Sequence, residues 1–108
     1  MVDYPTQGVP EFNTINETSV TLSSTSSTAV LSAKGNRLWL RLYNADLSGS
    51  SQAFIALGTT AAKTRGMRLA RGGELILKGD GIWKGAINAI ANTANANNKI
   101  FVSEGYVS

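Results

Sequence analysis

Nine residues, Asn36 to Asn44 (NRLWLRLYN), constrain the fold more than any other stretch of the chain. Side chains on a strand point alternately to opposite faces. Leu38, Leu40 and Leu42 therefore share one face, and Arg37, Trp39, Arg41 and Tyr43 share the other. The leucine row predicts a wall of the core. The opposite row carries the aromatic and arginine side chains that are enriched where proteins bind proteins. Two readings of it stand side by side: an interaction face, or a solvated face whose Trp39 and Tyr43 are half-covered by a neighbouring loop.

The same alternation recurs in short segments. Thr18 to Leu22 places Val20 and Leu22 on one side, and Ala29 to Ala33 follows a polar run from Ser23 to Ser27. Lys34-Gly35-Asn36 then reads as a tight hairpin with positive φ. Beyond the loop Asn44 to Ser51, the segment Gln52 to Leu57 predicts a strand with Ala53, Ile55 and Leu57 inward. Gly58 to Arg65 reads as a long loop before a short strand at about Gly66 to Leu69. Glu74 to Lys78 is a further strand. In Gly85 to Ala91, Ile87 and Ile90 stand three apart, which fits a strand with a bulge or else a short helix. Lys99 to Tyr106 closes the series, with Ile100 and Val102 on one face and Phe101 on the other. Seven to eight short strands separated by turn residues predict an all-β sandwich or barrel.

The first 17 residues show no period of either kind. Pro5 and Pro10 favour extended backbone there. Tyr4, Val9, Phe12 and Ile15 are more anchors than a solvating tail carries. Residues 1–17 are thus expected to form an extended N-terminal arm that packs on its own domain or on a neighbour, or else a frayed terminus, with the β domain spanning 18–108.

A chain of 108 residues supports one modest core. It contains neither cysteine nor histidine, which removes disulfides, thiolate metal sites, the commonest general base and every Ser-His or Cys-His arrangement. No Gly-x-Ser-x-Gly elbow is present. The seven carboxylates are Asp3, Glu11, Glu17, Asp46, Glu74, Asp80 and Glu104, scattered singly. No enzyme activity, cofactor or metal is expected. No apolar run approaches the roughly 20 residues of a membrane helix. The opening MVDYPTQGVPEF does not read as a secretory signal, so folding in the cytoplasm where the chain is made is the expectation.

The formal net charge of +3 is mild. Lys63, Arg65, Arg68 and Arg71 form a run without a compensating acid, suited to an acidic protein surface or a phosphate backbone, or simply a solvated loop. Aromatic residues are sparse in that cluster, and nucleic acid is the less favoured partner. Gly79-Asp80-Gly81-Ile82-Trp83-Lys84-Gly85 lacks both the spacing and the βαβ setting of a phosphate loop and reads as a turn followed by a half-buried Trp83.

Three blocks carry a resemblance. The first is Ser27 to Arg37 followed by an apolar strand. The second is Leu57-Gly58 with a Thr/Ala loop, then Gly66-Met67-Arg68-Leu69-Ala70-Arg71-Gly72-Gly73. The third is Gly85-Ala86-Ile87-Asn88-Ala89-Ile90 with the closing Val102-Ser103-Glu104-Gly105. Their order resembles small β-sandwich virion proteins of tailed bacteriophages, the head decoration or cement proteins and accessory tail modules. The resemblance implies an antiparallel, jelly-roll-like sandwich that self-associates, often as a trimer, and binds the major capsid protein or another virion protein. Where such proteins often carry Pro before the double glycine, this chain has Arg71. Interface candidates are Tyr4, Phe12, Arg37, Trp39, Arg41, Tyr43, Arg65, Arg68 and Arg71. The rival expectation is a tail-associated receptor- or carbohydrate-binding module, with Trp39, Tyr43 and Trp83 stacking on sugars. An oligonucleotide-binding barrel ranks last.

Overall fold

The computed structural model describes residues 12–45, 52–63, 66–79, 81–93 and 98–107. They form eight strands: β1 (Thr14–Thr21), β2 (Thr28–Leu31), β3 (Arg37–Asn44), β4 (Ala53–Leu57), β5 (Met67–Leu69), β6 (Glu74–Lys78), β7 (Ile87–Ala91) and β8 (Lys99–Tyr106). The described strands lie in two four-stranded antiparallel sheets, ordered β1-β8-β3-β6 and β2-β7-β4-β5. The protein is an all-β sandwich. Its pairs nest, β1 with β8, β2 with β7, β3 with β6 and β4 with β5, as in one long hairpin rolled over on itself.

The core lies between the sheets, where alternate residues of each strand meet. Leu40 and Leu42 of β3 sit beside Ile100 and Val102 of β8, facing Ile55, Ile87, Ala89 and Ala91 of the second sheet. Full burial of side chains this size contributes about 1.5–3 kcal/mol each. The small alanines let the sheets approach closely.

Several sequence expectations are corrected. β1 begins at Thr14, so the sandwich starts four residues before the sequence boundary at Thr18. Lys34 to Asn36 is not a hairpin, because β2 and β3 belong to different sheets. The positive-φ glycines described are Gly58, Gly66, Gly72 and Gly79, and Gly35 is not among them. Residues 87–91 are a strand whose register with β4 is unbroken, so neither a helix nor a bulge in β7 explains the isoleucine spacing. Ile87 points into the core, whereas Ile90 points outward and is buried under the segment after β4, beside Ala56 and Ala61. That segment is fastened across the second sheet by Ala61 N donating to Ser27 Oγ and Asn88 Nδ2 donating to Thr59 O.

Candidate functional site

The outward side chains of β1, β8, β3 and β6 form a grid of three rows. Ile15, Gly105, Trp39 and Lys78 make the first, Glu17, Ser103, Arg41 and Ile76 the second, and Ser19, Phe101, Tyr43 and Glu74 the third. Within it two pairs of polar groups satisfy one another, while Lys78 stands exposed at the end of β6. Arg41 Nε donates to Glu74 Oε2 at 2.7 Å, its guanidinium lies 5.2 Å from the Tyr43 ring centre, and Ser103 Oγ donates to Glu17 Oε2 at 3.3 Å. Such exposed pairs stabilise the fold by roughly 0–1 kcal/mol. Their larger effect is to leave Arg41 with its charge already met, so it is not the free cation that an acidic partner would seek.

The apolar members of the grid are not met. Ile15 is 57% exposed, Ile76 46% and Phe101 45%. Tyr43 meets Phe101 at 6.3 Å between tilted rings, besides the Arg41 guanidinium. Trp39 differs: Phe12 stacks on it at 5.9 Å and lies flat over Gly105. A Cβ on Gly105 would stand 2.6 Å from Phe12 Cδ2, so a side chain there would displace the ring. Trp39 is thus partly covered by Phe12, while Ile15 and Ile76 on the two edge strands and Phe101 on β8 are exposed.

Arg37 leaves the face altogether. The pairing of β3 with β8 shifts between Arg37 and Trp39, so an extra residue enters the strand and strict alternation fails there. Arg37 turns inward and is 0% exposed. Its Nη1 donates to the carbonyls of Trp83 at 3.0 Å and Gly85 at 3.2 Å, and its Nη2 donates to that of Ser32 at 2.8 Å. Nη2 also lies 3.5 Å from Glu104 Oε2. The Arg37 interface assignment is therefore wrong for a physical reason: its guanidinium joins β3 to the end of β2 and to the β6–β7 connection.

Sequence reasoning missed Glu104, although Ile100, Val102 and Glu104 share the two-residue period of the inner face. Glu104 is 1% exposed and forms the floor of a polar cleft of about 420 Å³ between β1 and the end of β2. Lys34 stands at the rim, with Nζ 3.7 Å from Glu104 Oε1 and 4.1 Å from the Tyr106 ring centre. A buried carboxylate beside two cations holds a fold in one arrangement and costs heavily when either partner is removed. Among the described residues no group of three or more His, Cys, Asp or Glu gathers to hold a metal.

Trp83 is held at the same end. Its Nε1 donates to Ala86 O at 3.0 Å, and its ring packs against Gly58 and Gly85. A Cβ would lie 2.8 Å from the ring at Gly58, whose φ of 79° already favours glycine, and 2.5 Å from it at Gly85.

The remaining candidates disperse. Arg68 opposes Phe54 on the outer side of the second sheet, and exposed Arg71 lies in the β5–β6 connection next to Asn44, at the end of β3 opposite Arg37. Tyr4 and Arg65 lie outside the described residues, as does the rest of the arm before Phe12. No protein-family model, no curated protein and no solved structure matches the chain.

Proposed function

We propose that this chain is a structural, non-enzymatic virion protein of a tailed bacteriophage, a self-associating decoration or cement protein that adheres to the capsid through the outer face of β1-β8-β3-β6. The observation that carries the reading is the exposure of Ile15, Ile76 and Phe101 around the paired Arg41 and Glu74. A face whose large apolar groups are uncovered gains by burial against a complementary surface, and the Arg41–Glu74 pair lessens the cost of desolvating its centre. The nested strand pairing supports the jelly-roll reading, and the resemblance of the turn blocks supplies the particle. The rival carbohydrate reading is weakened at Trp39, which Phe12 stacks on, whereas Trp83 packs against Gly58 and Gly85 and keeps 38% exposure.

Electron microscopy of the particle tests this reading. Copies of the chain are expected on the shell with Phe101 and Ile76 turned toward the capsid protein. Copies absent from the shell, or bound with that face in solvent, would overturn it.

A further inference from the structure

Each sheet has two edge strands, and three of these four edges are blunted. β2 has four residues and a shifted register with β7; β5 has three residues and carries Arg68; β6 has five and is flanked by Glu74 and Lys78. Short length, bulges and charge are the devices by which edges avoid pairing with another chain. β1 uses none of them. It has eight residues in unbroken register with β8, without proline or lysine, and its one charge, Glu17, is engaged by Ser103. Six of its eight residues are exposed, so the strand contributes little to the core of its own chain.

The phase of its hydrogen bonding is fixed. Leu22 N donates to Asn98 O, and this pair continues the β1–β8 register. Bonded pairs alternate along an antiparallel ladder, so the even-numbered residues of β1 bond to β8. The amides and carbonyls of Ile15, Glu17, Ser19 and Thr21 therefore point away from β8, to the side where no described strand pairs.

We propose that this edge joins a second copy of the chain, β1 against β1, about a twofold axis through Thr18. Keeping both copies' outer faces on one side allows axes through Glu17, Thr18 or Ser19. An axis at Glu17 opposes two carboxylates, which disfavours it. An axis at Ser19 aligns only residues 17–21. The axis at Thr18 aligns 15–21, pairs Glu17 with Ser19 through the outward-facing backbone groups, and brings threonine opposite threonine. A sheet of eight strands results, with a doubled apolar face. A pair, and not the trimer that the resemblance favours, follows from an edge that matches itself. This deepens the self-association in the reading above and rests on that part of it alone.

Light scattering on the full chain, coupled to size exclusion, provides the test, with two variants. The wild type is expected at twice 11.4 kDa. Ser19→Pro removes an amide that faces outward and no bond to β8, which edge strands tolerate. It is expected to halve the mass with little change in melting temperature. Thr18→Cys places the chain's sole thiol on the axis. Residues opposed in the non-bonded positions of a ladder have Cα atoms about 4.5 Å apart, within disulfide range. Oxidation is expected to link Thr18→Cys into a covalent dimer and to leave Glu17→Cys unlinked. An oligomer that survives Ser19→Pro, a trimer, or a Thr18→Cys chain that stays unlinked would overturn the β1 edge while leaving self-association standing. A wild type that is monomeric at every concentration would overturn self-association itself.

Discussion

Ile90 and Ile76 make a matched pair on opposite sides of the sandwich. Both point outward, Ile90 from the interior strand β7 and Ile76 from the edge strand β6, yet Ile90 is 6% exposed and Ile76 46%. On the second sheet, the segment after β4 folds back and lays Ala61 over Ile90, Ala56 and Phe54. On the first sheet, among the described residues, Phe12 covers Trp39 and Gly105. Among the described residues, one outer face is thus covered by a loop of the chain, and the other is covered at Trp39 and Gly105 and exposed at Ile15, Ile76 and Phe101. What separates the two is loop placement: the strands of both sheets alternate in the same way.

The largest effect expected from breaking this arrangement lies under both faces, at Arg37. Arg37→Ala leaves three carbonyls without their donor and Glu104 with Lys34 alone, and should destabilise the fold by about 3–5 kcal/mol in urea unfolding. Arg37→Lys should recover only a small part, since one ammonium cannot reproduce the planar guanidinium's fork. A cost below about 1 kcal/mol would mean that this end is not held together by the guanidinium. Ile90→Ala should cost about 2–5 kcal/mol, as for a core isoleucine. Ile76→Ala should stay within about 0.5 kcal/mol, as for a surface position. Equal costs at the two isoleucines would erase the distinction between the faces. Gly85→Ala should fall between them, about 1–3 kcal/mol, because its methyl group would meet the Trp83 ring.

The eight strands were legible because each is a short alternating run closed by Gly, Asn or Ser, and the leucines at 40 and 42 pointed inward as their spacing requires. What was not legible depends on single-residue events. One additional residue in β3 reverses the side on which Arg37 lies, and nothing in NRLWLRLYN marks where a partner strand will shift its register. The spacing of Ile87 and Ile90 suggested an irregular strand. The irregularity instead lies in β2, between Ala29 and Leu31, and Ile90 is buried by a loop. Glu104 was within reach, since it continues the inward series from Ile100 and Val102. A lone acid in an apolar row marks a buried ion pair when a cation can arrive from a neighbouring strand, and that cation was hidden by the bulge. The closeness of Phe12 to Gly105 could not be foreseen, because a glycine in a strand does not name the ring that will lie over it.

The adhesive face itself is tested most directly by titrating empty shells of the particle with the wild type and with the double variant Ile76→Asp/Phe101→Asp. Both substitutions are on the outer grid and leave the core and the Arg37–Glu104 pair untouched. The account predicts binding at least about tenfold weaker, equivalent to about 1.4 kcal/mol, with the melting temperature of the free protein little changed. Undiminished binding by a folded double variant would contradict it.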